Sequence, residues 1–361
     1  MLTVAVMILL IEIFLRIFYP QNLNITRLDA DKVYEYKPGI KSILRRQEFY
    51  THVTINSEGW RDEVYSIEKP KNTKRIAIAG DSFVFGFGVE ENETFAKILE
   101  RKLNENSKIN YEVMNFGESA YGTEQEYFVI KDDVLKYSPD LIILAFSPND
   151  LKENVKFNLF DVKNNSLVRN PPKEISTALK IRNYISWHSH LYSLFYFSVI
   201  DNADLRNFLV NAHLLNAPFK EPSTDFDSLI YQNSNNADFK YSMNKTLLLL
   251  NGINKMAENK NTAFALFIIP AKEQADKNEM LKYAESRKLD ASKLNITLTQ
   301  DSLKDALNKE NIAIMDPLPQ FVKSGRNNTF YYNIDSHWNK NGHEFAANAI
   351  YEKLINAKLV P

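Results

Sequence analysis

The sequence contains no cysteine, which excludes disulfide staples, thiolate zinc sites, iron–sulfur ligation and a cysteine nucleophile, and leaves the compartment open. Neither sign of charge dominates. Lys+Arg number 44 against 45 Asp+Glu, a formal net charge of -1, so no global positive field attracts a phosphate backbone and nucleic acid is not an expected partner. No internal repeat is evident. What remains is ordinary: 361 residues, 44% hydrophobic and 25% charged, a composition that excludes wholesale disorder, collagen-like repetition and a polytopic membrane protein. At about 150 residues per domain the length suits two domains, or one with a large insertion.

The first twenty residues differ from the rest. Leu2 to Leu15 is apolar apart from Thr3 and Glu12, and Arg16 and Pro20 close the run. Because it is apolar on all faces rather than along one stripe, residues 1–20 are read as an N-terminal membrane anchor, although a full span needs about 20 residues. No basic residue precedes the run and no small-x-small cleavage site precedes Pro20, so an uncleaved anchor, short or part of a longer one, is expected instead of a removed signal. Arg16, Arg27 and Lys32 follow the run, which by the positive-inside rule argues against an external domain. The bland alternative is a buried amphipathic helix with Glu12 and Arg16 paired four residues apart.

Residues 21–73 read as a polar lead-in and linker, and 74–361 as the main domain. Within it, Arg75 to Ala79, Tyr111 to Met114, Leu141 to Phe146, Ala263 to Ile269 and Ile312 to Met315 are apolar strand-like runs. Helical spacing of Phe95, Ile98, Leu99 and Leu103, a capping box at Thr123-x-x-Glu126, and a closing helix carrying Phe345, Ala349, Ile350 and Leu354 fall between and after them. Such alternation implies a parallel sheet covered on both faces. Residues 151–240 break the rhythm and read as an insertion, whose aromatics Tyr184, Trp187, Tyr192, Phe195, Tyr196 and Phe197 serve packing or line a glycan or acyl site.

The chemistry begins where strands end, because ligands of an open parallel sheet collect outside its carboxyl edge. Gly80-Asp81-Ser82, Asn115 to Thr123, and Ser147-Pro148-Asn149-Asp150 all follow strands. A serine directly after a strand, in a tight glycine-bearing turn, is placed as a nucleophile or simply as a turn or cap residue. In Asp335-Ser336-His337-Trp338, side chains two apart point the same way in extended backbone, so Asp335 can hold one imidazole nitrogen of His337 while the other faces a serine, as in a Ser-His-Asp triad.

These blocks together resemble the SGNH/GDSL hydrolase family: Gly80-Asp81-Ser82 is similar to its first block, Asn149-Asp150 to its third and Asp335-Ser336-His337-Trp338-Asn339 to its last. The resemblance covers roughly 75–155 and 240–355. It implies a three-layer α/β/α, flavodoxin-like fold with a parallel five-stranded sheet plus a helical insertion, Ser82 as nucleophile, His337 as base, Asp335 as its orienting partner, and an oxyanion hole from the Ser82 amide and the Asn149 side chain. The second block departs: the position five after Asn115 is Ala120, not glycine, so Ala120 is the expected third oxyanion donor with Gly122 as the alternative. The variants most similar here are anchored extracytoplasmic proteins with an Asp-x-His-Trp last block, which implies a bacterial periplasmic or cell-surface location. It also implies an acylated carbohydrate or other small ester as substrate, O-acetyl esters of surface polysaccharide first. The expected activity is a serine esterase, with an O-acyltransferase and an inactive carbohydrate-binding protein as alternatives.

Other motifs take plain readings. Asp81 and Asp150 are turn residues, Trp338 packs beneath the histidine loop, and His343 begins the last helix. His52, His188, His190 and His213 have no carboxylate at ligand spacing, so no metal is expected, nor any cofactor. Phe85-Gly86-Phe87-Gly88 is not a dinucleotide fingerprint, and Gly80-Asp81-Ser82-Phe83-Val84 is not the elbow of α/β-hydrolases.

Overall fold

The structure is a computed structural model that describes residues 2–105, 107–172, 174–201, 226–232, 234–308, 310, 312–324 and 329–356. His213 and positions 202–225 of the expected insertion lie outside the described residues. The chain forms two compact units, one of residues 1–59 with 172–221 and one of 60–171 with 222–361.

The first unit holds helix α1 (Leu2–Phe18), two antiparallel hairpins, β1 (Thr26–Asp29) with β2 (Val33–Tyr36) and β3 (Lys41–Arg45) with β4 (Tyr50–Thr54), and the helices Thr177–His188 and His190–Asp201. Strand β4 alternates, burying Thr51 and Val53 and exposing Tyr50, His52 and Thr54, the period of a sheet with one wet face. The membrane anchor expected over 1–20 is corrected here. Helix α1 has 17 residues, about 25 Å at ~1.5 Å per residue, short of a hydrocarbon core of about 30 Å. Among the described residues no helix is long and apolar enough to cross a membrane. The anchor, the membrane partner and the extracytoplasmic location built on it therefore lose their support. The charges inside α1 have local uses: Arg16 Nε donates to Glu12 at 3.0 Å, and Glu12 accepts the His190 and Leu191 N–H groups at 2.9 Å each. Its carboxylate thus caps the free donors of the helix His190–Asp201. The aromatic run of the expected insertion lies in this unit, with the Trp187 indole N–H on the Thr26 carbonyl at 2.7 Å.

The second unit is the expected three-layer α/β/α fold. Its sheet contains β5 (Thr73–Gly80), β6 (Asn110–Gly117), β7 (Leu141–Phe146), β10 (Ala263–Ile268) and β11 (Ala313–Met315), all parallel, in the order β11-β10-β7-β5-β6. A small hairpin, β8 (Phe160–Lys163) with β9 (Ser166–Arg169), lies outside it. Every residue of β7 is buried, as a strand covered on both faces requires. Numbering the sheet strands along the chain gives the flavodoxin-like order 2-1-3-4-5, whose switch point, between β5 and β7, is where ligands of such sheets bind. Ser82 follows β5 and Asn149 follows β7.

Helices α2 (Ser82–Phe85), α3 (Phe95–Asn104), α4 (Thr123–Phe128) and α5 (Asp150–Phe157) follow β5, β5, β6 and β7. The capping box expected at Thr123-x-x-Glu126 is shifted by one residue: Gly122 is the cap, and its N–H donates to Gln125 Oε1 at 3.0 Å. The shift frees Thr123 and Glu126 to point inward, where both are buried. A buried ion pair joins Lys245 of the helix Ala237–Glu258 to Glu124 of α4 at 2.7 Å, and Glu124 also accepts the Leu159 and Phe160 N–H groups at 2.8 Å.

Candidate active site

The turn after β5 is built to expose one hydroxyl. Asp81 caps α2 by accepting the Phe83 N–H at 2.9 Å, and Gly86 ends it at φ 81°, the left-handed region that glycine adopts without strain. The short helix can lie against the end of β6 because Gly117 has no side chain: a Cβ there would stand 2.1 Å from the Phe85 nitrogen.

Ser82 Oγ lies 2.7 Å from His337 Nε2, and His337 Nδ1 lies 2.5 Å from Asp335 Oδ1. The same carboxylate oxygen accepts the His337 backbone N–H at 2.9 Å, so Asp335 is fixed from two directions. With Nδ1–H donated to Asp335, Nε2 carries the lone pair that faces the serine hydroxyl. The imidazole is held between the rings of Phe83 and Phe87, at centroid distances of 5.0 and 4.7 Å. Behind it Trp338 is fully buried, 4.9 Å from Phe83 and stacked on Phe321. Tyr332 ties the histidine loop to the serine loop, its N–H on the His337 carbonyl at 3.1 Å and its hydroxyl on the Gly88 carbonyl at 2.6 Å. A hydroxyl, an imidazole and a carboxylate in this order can move a proton off oxygen and stabilise the imidazolium that results.

The other sequence-predicted residues stand on the same rim but are not joined to Ser82 by a hydrogen bond. Asn149 heads α5, and its side-chain amide hydrogen-bonds Asp81. Ala120 is exposed on the loop after β6 at φ 60°. The backbone there has the left-handed form that the family's glycine would suit, with an alanine in it. The Gly122 N–H donates to Gln125 Oε1. No protein acceptor takes the Ser82 N–H among the described residues.

Beneath the rim the structure adds buried acids that the sequence reading treated as turn and cap residues. Asp81 is buried, and its carboxyl is pushed up to about 6 by desolvation, against the pull of the Phe83 N–H, the His337 charge and the Asn149 amide. Glu126 and Asp150 are both buried, and both are held well above the usual carboxylate range, first by desolvation and then by the neighbouring negative charges, Asp81 among them. Burial beside like charge favours the neutral form of such carboxyls. Thr123 Oγ1 supports the pair by donating to Asp150 at 3.0 Å. An acid every few residues around a strand end was visible in the sequence, but nothing in the spacing showed that three of them turn inward. His343 is buried within the last helix, Lys340–Asn356, where its Nδ1 accepts the Phe95 N–H at 3.2 Å, and burial with the nearby Arg61 and His337 charges lowers it to about 3. Among the described residues no group of three His, Cys, Asp or Glu side chains is arranged to hold a metal ion.

Residues 230–360 match the model of a family described as SGNH hydrolase-like domain, acetyltransferase AlgX. No curated protein matches the chain. Among solved structures, the chain is similar to TesA at 10% identity and TM-score 0.44, over 80% of this chain and 100% of that one. The acetyl xylan esterase AlAXEase gives 12% and 0.41, over 78% and 99%. Axe2, an acetylxylan esterase from Geobacillus stearothermophilus, gives 10% and 0.43, over 78% and 94%. At these scores the structural likenesses carry no argument about function. With the strand order 2-1-3-4-5 and the layers described above, the chain has the α/β/α fold of the SGNH/GDSL hydrolases.

Proposed function

We propose that the protein is a serine esterase that removes acyl groups, O-acetyl first, from carbohydrate esters through an acyl-serine at Ser82. The observation that carries the reading is the unbroken hydrogen-bonded run Ser82–His337–Asp335 at a strand-end switch point. In the first half-reaction His337 Nε2 takes the hydroxyl proton as Ser82 Oγ attacks the ester carbonyl. The tetrahedral oxyanion forms beside the Ser82 N–H, with the Asn149 amide and the Ala120 N–H as its other donors. Its collapse breaks the ester C–O bond, and the imidazolium returns the proton to the leaving alcohol. In the second half-reaction the same base deprotonates water as it attacks the acyl carbonyl. Collapse of this second intermediate breaks the acyl C–Oγ bond, releasing the acid, and the imidazolium returns the proton to Ser82 Oγ.

A second reading is acyl transfer, favoured by the match of residues 230–360 to a family described as an acetyltransferase. It shares the acyl-serine and differs only in what attacks it. Water prevails unless a sugar hydroxyl is held in attack geometry and solvent is shut out. The test is to supply an aryl acetate with and without polysaccharide acceptors and to measure free acetate and acetylated glycan together. Hydrolysis predicts acetate release without acceptor that disappears in Ser82→Ala. Negligible release without acceptor, with Ser82-dependent glycan acetylation, overturns the esterase in favour of the transferase.

A further inference from the structure

The strand-end blocks that carry Ser82 and His337 begin only at β5, yet a buried cation from the preceding segment reaches into them. Arg61 is 1% exposed. Its guanidinium spans the loop that leaves α2: Nη1 donates to the Phe85 carbonyl at 3.2 Å and the Gly86 carbonyl at 2.8 Å, and Nη2 to the Val89 carbonyl at 2.8 Å. Those carbonyls belong to the backbone that touches both reacting side chains. Gly86 and Phe87 N–H groups close on the Ser82 carbonyl at 3.1 and 3.0 Å. The Phe87 ring packs on His337, and the Gly88 carbonyl receives the Tyr332 hydroxyl from the histidine loop. The next residue extends the brace. Asp62 accepts the Asn115 N–H at 2.7 Å and pairs with Lys97 at 2.6 Å, while Asn115 donates its side-chain amide to the Val84 carbonyl at 2.7 Å and accepts the Gly117 N–H at 2.9 Å.

We infer that Arg61 is a positioning residue for the serine chemistry, setting the distance between Ser82 and His337 by holding the loop 85–89 between them. The inference rests on the proposed Ser82 nucleophile. A planar fork with five donors satisfies three carbonyls that diverge around it, and a lysine in its place supplies the charge but a single donor point. A site that depends on a hydroxyl and an imidazole at 2.7 Å is sensitive to a small drift of that loop, whereas binding of an ester elsewhere on the rim is not.

The test uses the full chain with Arg61→Lys and Arg61→Ala, following fluorophosphonate labelling of Ser82, kcat and KM on an aryl acetate, and thermal melting. Arg61→Lys is expected to melt cooperatively, to label at least tenfold more slowly than the wild type, and to lose kcat with KM within twofold. Arg61→Ala is expected to lose roughly another tenfold, with partial recovery on adding millimolar guanidinium. A folded Arg61→Lys that labels at the wild-type rate overturns the inference. Loss of the fold in both variants also overturns it, in favour of a purely structural cation. A wild type that takes no label at Ser82 sinks the proposed function instead, so the two failures are distinct.

Discussion

The rim of the sheet has two halves of different construction. On one, Ser82, His337 and Asp335 are joined side chain to side chain at 2.7 and 2.5 Å. On the other, Ala120 and Asn149 stand on separate loops, and what lies under them is a set of buried carboxyls, Asp81, Glu126 and Asp150, all raised above the usual carboxylate range by desolvation. The first half runs through three side chains of defined type. The second works through backbone donors, one amide and a local charge balance, so its residue identities are freer.

The comparison is broken most directly at His337. Replacement by alanine leaves the serine without a base and is expected to lower kcat by roughly 10⁴- to 10⁶-fold with the melting temperature little changed. A loss under tenfold would remove the distinction between the halves. On the other half, Asn149→Ala deletes one amide donor, and removal of a single oxyanion donor costs about 10²- to 10³-fold in kcat. An unchanged rate would reduce Asn149 to a partner of Asp81 and leave the oxyanion to backbone N–H groups alone.

The sequence is legible where one physical signal dominates. Leu141–Phe146 and Ala263–Ile268 are runs of apolar residues between turn signals, and they are central strands because both of their faces are covered. The proposed triad is legible for a related reason: the Asp335 and His337 side chains are neighbours in the chain, and only a serine has to be found at a distance. An apolar run by itself says less. Leu2–Phe18 is as apolar as the strands, but its one carboxylate is spent capping another helix of the same unit, a partner 178 positions along the chain that no local pattern reveals. The hairpins between Thr26 and Thr54 read from sequence as a polar lead-in because a strand with one wet face is half polar. The uses of Arg61 and the inward-facing acids leave no sequence signature: the Arg61 partners are backbone carbonyls, and those of Asp81 and Asp150 include the Phe83 N–H and the Thr123 hydroxyl.

The buried acids give a prediction with a defined sign. Asp81 has an ordinary value of 3.8 and stands at about 6 in the folded protein. Between those values the folded state holds a proton that the unfolded chain has released, so stability falls as pH rises from about 4 through about 6 and then levels. Asn at this position keeps the helix cap and its bond to the Phe83 N–H without the charge. The stability of Asp81→Asn relative to the wild type should therefore grow between pH 4 and pH 7, by on the order of 2 kcal/mol. Melting curves at the two pH values measure it, and a constant offset would mean that Asp81 is ionised throughout the range.

At φ 60° the Cβ of Ala120 crowds the backbone, a cost of about 1–2 kcal/mol for an L-residue in the left-handed region. Glycine removes that strain but gives back about 0.5–1 kcal/mol of conformational entropy. Ala120→Gly should thus stabilise the protein by no more than about 1.5 kcal/mol, since only this difference survives. Its activity should remain within twofold of the wild type, because the backbone N–H proposed for the oxyanion is present in both. Ala120→Val should cost more than the alanine does, since a β-branched residue at positive φ is a steric outlier. Denaturant midpoints order the three proteins as Gly, Ala, Val if the left-handed loop is what the family's glycine serves. A valine as stable as the alanine would show that the loop relaxes out of that conformation, and the amide at position 120 would then have no fixed direction from which to meet an oxyanion.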